Sequence, residues 1–151
     1  IFDLIFTVGT LEHFTNPWKI LIKIKKKIKK GGHLIICYPN YYNPRGLSLM
    51  TLKHLLNHRI SLSDKYFFRP EEIQKKIKTF GFSNIKIQSI HQTGSYGDVA
   101  IKDLKQRLPK IFNKKKIYNF NSFIKFFKTY SEYYKENQYS GQIIVISAKY
   151  K

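Results

Sequence analysis

Apolar positions in this chain fall into two rhythms. Phe2 to Val8 (FDLIFTV) is a short, mostly apolar run closed by Gly9, and it reads as a buried strand. Asn16-Pro17 then opens a helix, with Asn as N-cap and Pro as the first helical residue. Trp18, Leu21, Ile24 and Ile28 recur at helical spacing, lysines fill the other face, and Gly31-Gly32 reads as the stop. His33 to Tyr38 (HLIICY) is a second continuous apolar run, ended by Pro39-Asn40. Two apolar strands joined by a helix of this length predict a right-handed βαβ crossover in a parallel sheet covered on both faces.

Further along, Leu47, Met50, Leu55 and Leu56 predict one helix within residues 41–65, with a polar turn near Ser61 to Asp64. Arg69-Pro70-Glu71-Glu72 starts another: Pro suits the first helical position, and two carboxylates sit by the positive end of the helix dipole. Ile73, Ile77 and Phe80 form its apolar stripe, Gly81 ends it, and Phe82 to Ile90 alternates as a third strand. Residues 91–139 read as a helical insertion. In it Pro109 is expected to break a short helix, and Phe120, Phe123, Ile124, Phe127, Tyr130 and Tyr134 form an aromatic stripe at helical spacing. Core packing is the expected role of that stripe, with a substrate-lining cap helix as the other reading. Lys114-Lys115-Lys116 reads as a solvated corner, and Gln142 to Ala148 (QIIVISA) as a last apolar strand. The expectation is a single domain over residues 1–151, with a variable segment at 41–65 and a helical insertion at 91–139.

Composition changes this picture little. At 42% hydrophobic and 16% aromatic over 151 residues, the chain can build a core. No apolar run is long enough to span a bilayer, and the first residues lack the basic leader and cleavage site of a signal peptide, so the cytoplasm is the expected location. Ile1 already belongs to a strand-like run, as in a chain that begins inside a fold. The net charge of +19 suggests nucleic acid, but 24 of the 28 basic residues are lysine, and arginine is the better reader of phosphate and guanine. Nucleic acid is therefore not expected as a specific substrate, while weak attraction to anionic surfaces follows from charge alone. A single cysteine, Cys37, excludes an internal disulfide and a cysteine-based zinc site, and it reads as a small buried hydrophobe.

The order FDLIFTV, GTLEHFTNPW, helix, KKGGHLIICYPN, variable stretch, FFRPEEIQKKIKTFGF, strand, insertion, QIIVISAKY resembles the second half of a class I S-adenosylmethionine (SAM)-dependent methyltransferase. It is most similar to the small-molecule type that includes the ubiquinone-biosynthesis O-methyltransferases. The resemblance implies an α/β fold: the C-terminal part of a Rossmann-like class I methyltransferase sheet, strands four to seven, mostly parallel with the last strand antiparallel. Residues 2–8 would be strand four, 33–38 strand five, 82–90 strand six, and 142–149 the seventh, inserted between five and six. The acidic-x-Gly-x-Gly loop that approaches the cofactor and the acidic residue that binds its ribose have no counterpart in these residues. Gly31-Gly32 follows a predicted helix and does not replace them. The implied cofactor is SAM, the implied partners are a small-molecule acceptor and the missing N-terminal half of the domain, and the chain alone is expected to be inactive and marginally stable.

Ligands in such sheets lie outside the carboxyl ends of the strands. By the resemblance, Val8, Gly9, Thr10 and Leu11 would line the methionine half of SAM. Gly9 serves either a close backbone approach or a simple strand-end turn. His13 is the candidate base for an oxygen acceptor, since its ordinary pKa lies near neutrality; a structural histidine at the helix entry is the other reading. Glu12 would orient His13 or cap the next helix. Tyr38, Asn40 and Tyr41 would face the acceptor, or form a Pro/Asn turn with surface tyrosines. The Asn/Asp-Pro-Pro-aromatic run of enzymes that methylate adenine or glutamine amino groups is replaced here by GTLEHF, which favours an oxygen, carbon or simple nitrogen acceptor. No metal site is expected: His54 and His58 stand at i, i+4 spacing without a third ligand nearby. A basic RNA- or membrane-surface-binding module without catalysis, and a non-functional remnant, are the alternatives to an enzyme.

Overall fold

The computed structural model describes residues 1–113, 117 and 119–151, so Lys114-Lys115-Lys116 lies outside the described residues. Four strands form one sheet: β1 (Phe2–Val8), β2 (Ile28–Pro39), β3 (Phe82–Ile90) and β4 (Ile143–Tyr150), in the order β1-β2-β4-β3. β1 runs parallel to β2, and β4 runs antiparallel to it. Among the described residues no helix is long and apolar enough to cross a membrane.

The chain forms two compact units. The first holds residues 1–39, 63–88 and 143–151. Its helices are α1 (Pro17–Lys25) and α2 (Pro70–Thr79); the helix of residues 44–56 belongs to the other unit. Asn16 caps α1 as expected, its Oδ1 accepting from the Lys19 N–H at 3.1 Å, and Pro17 occupies the first turn. Leu21, Ile73 and Ile77 from these helices meet Leu34, Ile36, Ile144, Ile146 and Ala148 of the sheet in one buried cluster. Burying each large aliphatic side chain of this kind stabilises by roughly 1.5–3 kcal/mol relative to exposure. Gly81, at φ +90°, follows α2 as predicted and turns the chain into β3.

Two expectations need correction here. Helix α1 ends at Lys25, and Ile28, Gly31 and Gly32 all lie inside β2. The pairing with β1 shifts register between Phe2 and Leu4, where β2 carries extra residues and the ladder is irregular. Gly31 takes φ +81°, and a Cβ on Gly32 would stand 2.9 Å from the carbonyl oxygens of Asp3 and Lys29. The glycine pair therefore serves a tight strand crossing instead of a helix stop. The second correction concerns β1, which is an exposed edge strand rather than a buried one. Ile5 and Thr7 pair with Leu34 and Ile36 of the core face. Leu4, Phe6 and Val8, 49%, 65% and 62% exposed, share the opposite face with His33, Ile35 and Cys37. Ile35 and Cys37 are only half-buried, so this side of the sheet is apolar and incompletely covered.

The second unit holds residues 40–62 and 89–142, overlapping both segments read as variable. It contains α3 (Pro44–Leu56), α4 (Gly97–Ile111) and α5 (Phe120–Tyr133). The Asn43 side chain caps α3 by accepting from the Gly46 N–H at 2.8 Å. A Cβ on Gly46 would collide with the backbone of Tyr41, so no other residue fits there. Pro109 does not break α4 but sits in its last turn, where the missing N–H removes one rung near an end that has few left. Of the predicted aromatic stripe, Ile124 and Phe127 are buried, Phe120, Phe123 and Tyr134 are half-buried, and Tyr130 is exposed, so the stripe packs except at Tyr130. Arg45 of α3, with its side chain 7% exposed, pairs with Asp103 of α4 at 2.7 Å, and Arg107 joins the same carboxylate at 3.2 Å.

Candidate active site at the end of the first strand

β1 delivers its last residues to a short 3-10 turn, Leu11–His13. Gly9 takes φ +54°, and its N–H donates to the Cys37 carbonyl at 3.1 Å. A Cβ there would meet Glu12 Oε1 at an ordinary 3.7 Å, so the left-handed backbone, not crowding, is what calls for glycine. The Thr10 hydroxyl donates to the Val8 carbonyl at 2.8 Å and holds the turn closed. Leu11 is 1% exposed and belongs to the core cluster, so it is not part of the surface formed by its neighbours. Val8, Gly9 and Thr10 are exposed.

The turn is fixed from a distant part of the sequence. The Glu12 carbonyl accepts from the N–H groups of both Lys65 (2.8 Å) and Tyr66 (2.9 Å). This docks residues 64–66 on the turn and brings Asp64 Oδ1 to 3.4 Å from His13 Nδ1. The Asp64 side chain is 12% exposed and that of His13 is 42% exposed, so the imidazole has one edge against a carboxylate and another toward solvent. Glu12 is 2% exposed, and its Oε2 has no hydrogen-bond partner among the described residues. Burial pushes its carboxyl pKa up and Asp64 adds to this, while His13 and the backbone of Glu12 and Thr10 act against it. Ligand-type atoms of Glu12, His13 and Asp64 all lie within 4.8 Å of one another, a grouping that could hold a metal ion and that sequence spacing does not reveal.

An aromatic wall backs this turn within the same unit. Trp18 packs edge-on against Tyr66 and Phe68, both at 5.7 Å between ring centroids, and Tyr38 packs against Phe68 at 5.3 Å. The Tyr66 hydroxyl donates to Glu72 Oε1 at 2.8 Å, which anchors the segment carrying Asp64 to the start of α2.

The second strand end keeps the Pro/Asn turn of one expectation, with Tyr42 47% exposed, but Tyr38 departs from both. Tyr38 is 1% exposed and part of the core, neither a surface tyrosine nor an open wall. Asn40 is equally buried, and its amide is used structurally: Nδ2 donates to the carbonyls of Tyr139 and Gly141, and Oδ1 accepts from the Tyr42 N–H. Asn43 adds a bond to the same Gly141 carbonyl at 3.1 Å. Tyr41 is half-buried. Asp64 and Asn43 were not picked out from sequence. Asp64 lay in a segment legible only as a polar turn, whereas Asn43-Pro44 repeats the Asn16-Pro17 start signal and could have been read.

Residues 1–87 match the family described as "Methyltransferase domain". Among proteins with curated descriptions, none matches the chain. Among solved structures, a SAM-dependent methyltransferase from Archaeoglobus fulgidus is similar with a TM-score of 0.57 and 19% identity, covering 97% of this chain and 58% of that one. A possible histamine N-methyltransferase from Thermotoga maritima gives a TM-score of 0.61 at 19% identity, over 99% of this chain and 56% of that one. A phosphoethanolamine N-methyltransferase from Haemonchus contortus, solved with phosphomonomethylethanolamine and S-adenosylhomocysteine, gives 0.54 at 16% identity, over 99% and 33%. The chain thus spans little more than half the length of the first two.

Proposed function

The chain belongs to the methyltransferase-domain family matched over residues 1–87, and from that premise we propose that it is the carboxyl-side part of a class I SAM-dependent methyltransferase acting in the cytoplasm on a small molecule, with oxygen as the acceptor atom. In this reading β1, β2, β3 and β4 are the family's fourth, fifth, sixth and seventh strands. The order β1-β2-β4-β3, with β4 antiparallel to β2, supports it. The partly uncovered face of Leu4, Phe6 and Val8 supports a partner: the N-terminal half of the same domain, lying against β1.

The residues present fit one part of SAM. The exposed backbone at Val8, Gly9 and Thr10 stands at the carboxyl end of a parallel strand, where such sheets take their ligands. When bound, SAM would supply a sulfonium methyl group whose carbon an acceptor attacks in line, with the neutral thioether as leaving group. The family's acidic-x-Gly-x-Gly loop and its separate ribose-binding acidic residue have no counterpart in these residues, so we expect the chain by itself to bind SAM poorly and to be inactive.

The observation that carries the reading is the pairing of His13 with Asp64 beside this strand end. We assign His13 as the base that removes the acceptor's proton, with Asp64 as a positioning residue that holds the imidazole through Nδ1 and leaves Nε2 for the acceptor. Glu12 shapes the turn through its doubly bonded carbonyl. Tyr38 and Asn40 are buried in structural roles, so neither is assigned to the acceptor. The test is transfer of labelled methyl from SAM to phenolic acceptors by the protein expressed from its whole reading frame. Turnover should fall about a hundredfold or more in His13→Ala with SAM affinity kept. Unchanged turnover would remove the base assignment, and transfer only to amines would remove the oxygen acceptor.

A further inference from the structure

A cavity of about 360 Å³ lies within the second unit, between the turn at residues 59–62 and helix α4, and none of the chemistry above uses it. Its size falls in the range of small-ligand sites. Arg59, Arg107 and Lys110 line it together with one carboxylate, Asp103. That carboxylate is already shared between Arg107 and a further cation, Arg45. The wall therefore carries cationic charge that the protein leaves unbalanced.

Both guanidinium groups are held in place by the protein. Arg107 bonds Asp103 through Nε and Nη2, and donates from Nη1 to the Ile60 carbonyl at 3.1 Å. Arg59 uses Nε and Nη2 on the carbonyls of Ser61 and Leu62, which leaves its Nη1 outside those bonds. The Lys110 ammonium has no hydrogen-bond or ion-pair partner among the described residues. Fixed arginines lose little freedom when an anion arrives, and the N–H groups outside these bonds, those of Arg59 Nη1 among them, are donors suited to phosphate oxygens. Ile60 and Ile111 add apolar wall beside the charges.

We propose that this cavity binds a small organic phosphate, a phosphomonoester whose dianion meets Arg59, Arg107 and Lys110 while its carbon portion lies against Ile60 and Ile111. The site goes beyond the methyl-transfer reading and stands or falls without it. The experiment is calorimetric titration of the protein from its whole reading frame, at physiological salt, with phenyl phosphate, inorganic phosphate and benzoate. Phenyl phosphate should bind saturably at one site and more tightly than either other probe. Lys110→Gln and Arg59→Gln should each weaken it about tenfold or more. Lys110→Gln leaves the 59–62 turn untouched, so its effect reads the site and not the fold. Lys125→Gln, at an exposed lysine of α5, should change nothing. Heat without saturation, parental affinity in both cavity variants, or an equal loss in Lys125→Gln would overturn the proposal, the last because it would mark a diffuse charge effect. Benzoate binding as tightly as phenyl phosphate would overturn the assignment to phosphate.

Discussion

His13 Nδ1 and Asp64 Oδ1 stand 3.4 Å apart although they come from different segments of the first unit, residues 1–39 and 63–88. The contact is built by backbone: the Glu12 carbonyl accepts from Lys65 and Tyr66 and so fixes where Asp64 can be. If Asp64 orients the base, Asp64→Asn in the whole protein should lower kcat about tenfold with KM for SAM unchanged, and Asp64→Glu should restore part of it. A purely structural Asp64 would instead lower thermal stability and leave kcat of the folded fraction intact. Steady-state kinetics beside a melting curve separates the two.

Glu12 makes a prediction about pH. Burial raises its carboxyl above the ordinary unfolded value of about 4.3, and Asp64 pushes the same way. Between the unfolded and the raised folded values, the folded protein keeps a proton the unfolded chain has lost. Stability therefore declines as pH rises through that window. Glu12→Gln should melt higher than the parent near pH 8 and equal to it near pH 4. A lower melting point at both would show that the ionised form is well accommodated.

Asp103 predicts the opposite sign. Burial alone would raise it, but hydrogen bonds and charge from Arg107 and Arg45 outweigh that and hold it below the usual carboxylate range. Its contribution is complete above the unfolded value of about 3.9 and is lost as pH falls through the lower folded value. Asp103→Asn should cost about 3–5 kcal/mol at neutral pH, because Arg45 would stay buried against a neutral side chain. Arg107→Gln, at a pair in i, i+4 spacing on a more exposed side chain, should cost under about 1 kcal/mol. Urea titrations at neutral and acid pH check both, and the Asp103→Asn deficit should narrow on acidification.

Phe6 tests whether the open face of β1 is normally covered. It is 65% exposed here, so Phe6→Lys in the 151-residue chain should shift urea unfolding by no more than about 0.5 kcal/mol and reduce aggregation. In the protein from the whole reading frame the same change should cost about 3 kcal/mol or more, as a charge placed under a packed layer. Equal effects in the two would mean that nothing covers this face. The isolated chain should also unfold over a broad range of urea; a steep single transition would contradict its marginal stability.

Much of this architecture was legible from the residues, and the exceptions have physical causes. The apolar runs at Phe2–Val8, Phe82–Ile90 and Ile143–Tyr150, and the Asn-Pro and Pro-Glu-Glu helix starts, are local signals, and the elements form there. Ile28 was misplaced because four residues after Ile24 it fits a helix as well as it begins a strand. Only its pairing with Phe2 across the sheet decides, and Gly31-Gly32 then become strand glycines. The exposure of β1 depends on what lies beside it, which periodicity does not report. At the candidate site, Glu12 and His13 were readable because they follow a strand end directly. Asp64 was not, since it arrives through hydrogen bonds to a carbonyl far away in sequence.

The central claim is that this sheet is the carboxyl-side part of a SAM site completed by preceding residues. Calorimetric titration of SAM into the protein from its whole reading frame and into the 151-residue chain tests it directly. The account predicts saturable binding by the former and affinity at least about a hundredfold weaker, or none, for the latter. Failure of the whole protein to bind SAM, or equal binding by the two, would contradict it.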